Sequence, residues 1–210
     1  MTPASNDPLE LVLRGFEPTV RPPVLSGGDV AYTVEDLPVG RMVLAAHIDG
    51  TLLASSYTAD DEALDAVLAR LARHVSPRVL RGGRALDAVR RQLDGYLAGR
   101  LRTFDVPVDL ALASPFQRTV LQRLAATVGY GATTSYGRLA ADLERTGAAR
   151  AVGAALGANP LCIVLPCHRV VATSGALTGY AGGLAAKQFL LDLEHAELEP
   201  AGPDGAGSPF

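Results

Sequence analysis

The chain has 210 residues, 48% of them apolar and 20% charged, with a net charge of −3. That is ordinary for a globular protein able to bury a core. No apolar run approaches the ~18 residues of a membrane span, and the opening residues MTPASNDPLE lack the basic start and apolar stretch of a secretion signal. With only two cysteines, these features argue against membrane-spanning and disulfide-framed classes and predict a reducing, cytoplasmic setting.

Residues 1–28 hold several Pro and Gly without apolar periodicity, which predicts a flexible leader. Alternation over 30–34 predicts a strand. Residues 41–48 and 51–57 flank Asp49-Gly50, a pair that favours a type I′ hairpin turn. Asp60 and Asp61 open an amphipathic helix to about His74, with Leu64, Val67, Leu68 and Leu71 on one face. A second helix, about 85–98, spaces Leu86, Val89, Leu93 and Leu97 likewise. Together these predict a small α/β N-terminal domain over 29–106.

Pro107 lies in a linker into a second, mostly helical domain, 107–198, so the fold class is α/β. Ser114-Pro115 is an N-cap and first-turn pair. It starts a helix with Phe116, Val120, Leu121 and Leu124 inward. Gly129 and Gly131 break that helix, Ser135 caps another over 136–143, and a third runs over 148–157. Two short helices joined by a tight turn fit a helix-turn-helix. Residues 199–210 read as a flexible tail.

The segment 148–157 is nearly all Ala, Gly, Val and Leu, with Arg150 as its one long side chain. Such a helix suits close packing in a core. It suits equally a minor groove only about 6 Å wide, with Arg150 as a probe. Reading base edges in the major groove needs several Asn, Gln, Arg or Lys, so sequence-specific reading is not expected. Charge is unevenly spread. Residues 1–113 hold 12 Lys/Arg and 15 Asp/Glu, residues 114–194 hold 7 and 4, and the last sixteen hold three acids and no base. A mildly basic middle block is compatible with a nucleic-acid face.

Asn159-Pro160 stops the helix. The apolar run 161–165 then predicts a buried strand ending at Pro166-Cys167-His168-Arg169-Val170. A lone buried Cys or His is usually structural. Adjacent to each other after a proline, and followed by Arg, they point to a reactive thiol.

Residues 86–194 resemble the O6-alkylguanine-DNA alkyltransferases (methylated-DNA–protein-cysteine methyltransferases). The resemblance rests on Ser114-Pro115-Phe116-Gln117-Arg118, Thr134-Ser135-Tyr136-Gly137, Arg150-Ala151-Val152-Gly153, Asn159-Pro160, Pro166-Cys167-His168-Arg169-Val170 and Gly179-Tyr180-Ala181-Gly182-Gly183-Leu184. It implies that Cys167 accepts the alkyl group, that His168 takes the thiol proton through a water, and that Glu194 orients His168. It assigns Tyr136 to hydrogen bonding with a ring nitrogen of the base, and Asn159 to a hinge between the small-residue helix and the Cys167 segment. Arg150, Ala151, Gly153, Ser135 and Arg169 are implied at the DNA, and Tyr136, Val170, Tyr180, Ala181 and Gly182 around the flipped base. The implied partner is double-stranded DNA carrying O6-alkylguanine, approached from the minor groove by a monomer, with no membrane. Chemistry agrees, because a free thiol of pKa ~8.5 is only about 3% thiolate at pH 7 and needs activation.

Some relatives hold a structural zinc through N-terminal Cys and His. This chain has no cysteine before Cys162, so neither a metal nor a cofactor is expected. Leu121 stands where many relatives have an aromatic, and Ala181 lacks a hydroxyl that some relatives carry. Rival readings are a non-catalytic sensor of alkylated DNA, a helix-turn-helix regulator, and a cysteine hydrolase using Cys167 and His168.

Overall fold

The computed structural model describes residues 30–196; the leader and tail expected at 1–28 and 199–210 lie outside the described residues. Four strands, β1 (Val30–Leu37), β2 (Gly40–His47), β3 (Leu52–Tyr57) and β4 (Val79–Arg81), form a sheet in the order β3-β2-β1-β4. The first three pair antiparallel, and β4 returns parallel to β1. Residues of β2 alternate between faces. Met42, Leu44 and Ala46 join one apolar cluster, and Ala45 joins another with Val30, Leu53 and Ala54. A sheet covered on both faces explains why β2 reads as an unbroken apolar run.

Helix α1 (Asp61–His74) covers the second cluster through Val67, Leu68 and Leu71. Its ends are built as the sequence implied. Asp60 accepts from the Ala63 amide at 2.8 Å, with acids in the first turn and Arg73 and His74 in the last. The opposite face takes α2 (Asp87–Leu97), led in by a 3-10 turn at Arg84–Leu86.

The hairpin between β2 and β3 departs from the type I′ expectation. That turn needs positive φ at both central residues. Here only Gly50 has it, at 91°, and its amide donates to the His47 carbonyl at 2.9 Å. Asp49 instead caps the loop by accepting from the Thr51 amide at 2.9 Å.

In the C-terminal half, α3 (Pro115–Thr127) opens on a reciprocal box. Ser114 Oγ accepts from the Gln117 amide, and Gln117 Oε1 accepts from the Ser114 amide. Then follow β5 (Thr134–Ser135), α4 (Tyr136–Asp142), α5 (Ala149–Gly157), β6 (Val170–Val171, parallel to β5) and α6 (Gly183–Ala196). One cluster runs from Ala31 and Met42 through Leu93, Leu124 and Val152 to Leu190. The two halves therefore share a core.

The run 161–165 is buried but is not a strand. It makes isolated bridges only, Ile163 has a φ of 72°, and the Leu165 amide turns back to the Leu161 carbonyl at 2.8 Å. Proline at both ends, 160 and 166, removes two ladder donors. The outer side of β3 supplies the missing partners. The Ser55 amide donates to the Pro160 carbonyl at 2.8 Å, Ser55 Oγ to the Cys162 carbonyl at 2.8 Å, and Ser56 Oγ to the Pro160 carbonyl at 3.1 Å. Among the described residues, no helix is long and apolar enough to cross a membrane.

Candidate active site

Cys167 begins a 3-10 turn, Cys167–Arg169, at the end of this clamped segment, and it is buried with 7% exposure. Asn159 ties the segment together. Its Oδ1 accepts from the Leu161 amide at 2.9 Å, and its Nδ2 donates to the Leu165 carbonyl at 2.9 Å and to Cys167 Sγ at 3.1 Å. The Leu161 N–H requires an oxygen opposite it, which fixes the amide's orientation and turns a donor toward sulfur. A hydrogen bond from Cys162 holds the Cys167 thiol below the usual range. Burial opposes it, while the Asn159 amide and the Lys187 charge assist. The same contact, with burial, pushes the Cys162 thiol well up. Of the two thiols, Cys167 is therefore the one whose ionisation its surroundings favour.

Behind Cys167 lies a buried polar knot. Glu194, from α6, accepts from His168 Nε2 at 2.7 Å, from Arg169 Nε at 3.0 Å, from the Gly131 amide at 2.9 Å and from the Tyr96 hydroxyl. Burial would raise the Glu194 carboxyl, but the His168, Arg169 and Tyr96 donors outweigh it and hold it at about 2. Burial lowers His168, so the imidazole is neutral. An ionised carboxylate only accepts, so the single ring proton sits on Nε2. The buried Nδ1, which has no hydrogen-bond partner among the described residues, carries the lone pair of a base.

A cavity of about 440 Å³ reaches Cys167 between Tyr136, Leu156, Thr178, Tyr180 and Ala181. A larger hollow of about 520 Å³ between Arg123 and Arg138 does not touch Cys167, so chemistry selects the smaller one. Thr178 Oγ1 donates to the Tyr136 hydroxyl at 3.2 Å, which leaves the phenolic proton for a ligand. Lys187, the chain's single lysine, is fully buried. It donates to the Val170 carbonyl at 2.6 Å and the Thr178 carbonyl at 2.8 Å. The cavity loop is thereby fastened to the strand that follows Cys167.

The structure thus brings Cys167, Tyr136, Tyr180 and Ala181 around one cavity, with Asn159, His168 and Glu194 buried behind it. Val170 and Gly182 do not line the cavity. Val170 is buried in the core, and Gly182 lies under Tyr57. Arg169 is a correction. Expected at the DNA, it is turned inward and bonds both Glu194 oxygens, while its Nη1 donates to the Val128 carbonyl at 2.8 Å. A carboxylate held beneath it binds the guanidinium more strongly than solvent does. Ser135 Oγ caps α4, accepting from the Arg138 amide at 3.1 Å. On α5, Arg150, Ala151, Ala154 and Gly157 are exposed while Val152, Ala155 and Leu156 are buried. Gly153 faces the Tyr136 ring.

Residues 115–196 match the family model described as 6-O-methylguanine DNA methyltransferase, DNA binding domain. The methylated-DNA–protein-cysteine methyltransferase of Mycobacterium bovis is 41% identical over 165 residues, 79% of this chain and 92% of that protein. The chain belongs to the methylated-DNA–protein-cysteine methyltransferase family. A relative from Mycolicibacterium paratuberculosis reaches 53% identity over 111 residues, 53% of this chain and 66% of that protein. Among solved structures, Mycobacterium tuberculosis OGT in complex with DNA superposes with a TM-score of 0.68 at 38% identity, covering 80% of this chain and 94% of that one. The O6-methylguanine-DNA methyltransferase of Pyrococcus kodakaraensis gives 0.55 at 27%, covering 79% and 98%.

Within this methyltransferase, sequence reasoning missed Tyr96 and Lys187. Tyr96 sits at helical spacing with Leu93 and reads as core. Lys187 carried one signal, a lone lysine in a chain rich in arginine. Gly182 has a demand of its own, since a Cβ there would lie 2.5–2.9 Å from the Tyr57 ring. The Tyr57 hydroxyl pairs with that of Tyr180 at 3.3 Å, so the ring is not free to swing away. Gly182→Ala is expected to cost about 1–3 kcal/mol by overpacking and to loosen the Tyr180 wall. Chemical denaturation checks this, and a cost under ~0.5 kcal/mol would show that Tyr57 yields.

Proposed function

We propose that this protein repairs duplex DNA by direct reversal, moving an alkyl group from O6 of guanine to Cys167 once per molecule. One observation carries the reading. A thiol whose ionisation its neighbours favour opens on a cavity of about 440 Å³ and is backed by a neutral histidine whose Nδ1 is the basic nitrogen. His168 Nδ1 takes the Cys167 proton through a bridging water, and Glu194 stabilises the imidazolium that results. Sulfur then forms the C–S bond as the O6–C bond breaks. The released electron pair passes to the guanine, which the Tyr136 hydroxyl stabilises at a ring nitrogen. The thioether product has no group nearby able to cleave it, so turnover stops at one.

Chemistry at O6 requires a flipped base, and a mispaired one is cheaper to extrude. The exposed small-residue face of α5 fits a minor groove, and Arg150 fills the gap the base leaves. Within 114–194, with Arg169 and Lys187 turned inward and Arg150 at the gap, the basic residues left for phosphates are Arg118, Arg123, Arg138 and Arg145. Binding then weakens with added salt as those contacts are lost. Tyr96, Cys167, His168 and Glu194 all belong to one chain, which supports action as a monomer. A free thiol supports a reducing, cytoplasmic setting.

Mixing the protein with a duplex carrying one O6-methylguanine and measuring peptide masses tests the reading. A gain of one CH₂ on the Cys167 peptide, saturating at one per molecule and lost in Cys167→Ala, is expected. Tight binding without mass change would leave a sensor instead. Arg150→Ala is expected to leave stability within about 0.5 kcal/mol, since the side chain is exposed. Transfer from duplex DNA should fall about tenfold or more, and transfer from free O6-methylguanine base should not. Equal losses on both substrates would remove Arg150 from base extrusion.

A further inference from the structure

Tyr57 belongs to the N-terminal sheet, yet it stands directly behind the wall of the Cys167 cavity. It ends β3, where the sheet pairs it with the fully buried Met42 of β2, so its backbone has a rigid mount. Its ring meets that of Tyr180 edge-on, with centroids 5.4 Å apart and planes at 71°, a favoured geometry for two aromatic rings. The two hydroxyls pair at 3.3 Å. The same ring lies over Gly182, where no Cβ would fit. Two residues of one loop therefore rest on one side chain of the sheet.

That loop needs the support. Residues 172–182 contain no helix or strand, so Tyr180 depends on individual contacts for its place. Lys187 holds the Thr178 carbonyl at 2.8 Å, and the Gly183 amide donates to the Tyr180 carbonyl at 2.9 Å. Both of these fix backbone. The Tyr180 ring is held by Tyr57 on the sheet and lies 6.4 Å from the His168 ring. Tyr180 and Cys167 line the same cavity, whereas Tyr57 does not reach it.

We propose that Tyr57 is a positioning residue that sets which alkyl groups Cys167 accepts: by holding Tyr180 in the cavity wall, it limits the room beside the sulfur. The proposal rests on the alkyl-transfer reading and deepens it. Transfer carries the alkyl carbon onto sulfur, so the rest of the group must fit inside the wall as the C–S bond forms. A wall packed against a sheet residue has little freedom to retreat. One methylene without room costs on the order of tenfold in rate. The N-terminal half thus contributes to the choice of substrate without touching it.

The test compares the full wild-type chain with Tyr57→Phe, which keeps the ring without its hydroxyl, and Tyr57→Leu, which removes the ring. Single-turnover rates are measured on one duplex carrying either O6-methylguanine or O6-butylguanine, so that the substrates differ only in the alkyl group. Tyr57→Leu is expected to raise the butyl-to-methyl rate ratio about tenfold. Tyr57→Phe should raise it about threefold, the share of one hydrogen bond. Should Tyr57→Leu fail to fold, the phenylalanine variant decides. A role in stability alone would lower both rates together, so a ratio equal to or below that of wild type would overturn the proposal. Labelling of Cys167 without DNA, by iodoacetamide and by its N-butyl derivative and located by fragment mass, gives a second ratio. A labelling ratio that rises in the variants, with no transfer from DNA in wild type, would sink the repair function and keep the role of Tyr57. Ratios that stay put while wild type transfers its alkyl group would sink the role of Tyr57 alone.

Discussion

Glu194→Gln is expected to cost about 3 kcal/mol of stability at pH 7 and to slow alkyl transfer at least a hundredfold. The first figure follows from the carboxyl's position at about 2 in the folded protein against an ordinary value of 4.5, at 1.36 kcal/mol per pKa unit. A folded value below the unfolded one means the contribution is fully present above pH 4.5. It is lost as pH falls from there toward 2. Equilibrium unfolding at pH 7 and pH 3 should therefore show a wide gap between wild type and variant that narrows in acid. Glutamine leaves the Arg169 guanidinium buried without its counter-charge. It also sets an amide N–H among four donors. The second figure follows from the proton on His168: a neutral amide no longer demands it at Nε2, and the base at Nδ1 is no longer guaranteed. A stability loss under 1 kcal/mol, unchanged by pH, would mean the knot does not depend on this charge.

Asn159→Asp is expected to be as damaging to transfer. Aspartate still accepts from the Leu161 amide but loses the bond to the Leu165 carbonyl, so the turn keeps one of its two ties and is destabilised as well. The atom facing Cys167 Sγ changes from an N–H at 3.1 Å to an anionic oxygen. Like charges at that distance disfavour the thiolate by two units or more, so transfer at pH 7 should drop a hundredfold or beyond. The loss should shrink at high pH, where the sulfur ionises regardless. Rates measured from pH 6 to 10 decide the point. A loss independent of pH would assign Asn159 to the geometry of the turn alone.

Much of this molecule was legible because its signals are local. Strand alternation and the Asp60, Ser114 and Ser135 caps each act within four residues, and the structure repeats them. The Cys-His pair was legible from adjacency, and Asn159 and Glu194 came from resemblance. What escaped depends on partners distant in the chain. β4 has three residues and exists because β1 lies beside it. The run 161–165 has the composition of a strand, but its backbone partners are the serines of β3. Helix α6 was hidden behind the loop glycines that precede it. Arg169 looked like a surface cation until Glu194 and the Val128 carbonyl came to meet it. The Asp49-Gly50 turn kept its glycine but not its type, since a longer loop needed only one residue with positive φ.

The clamp between β3 and the nucleophile segment has a further consequence. β3 is the last strand of its sheet, and its free side is occupied near Leu52 by residues 107–109 and near Ser55 by Pro160 and Leu161. The stretch that delivers Cys167 thus also serves as a cover over an open sheet edge, the kind of edge that recruits other chains when bare. Substitutions that loosen residues 159–167 should therefore produce self-association and precipitation alongside lost repair. The catalytic turn doubles as a guard against aggregation.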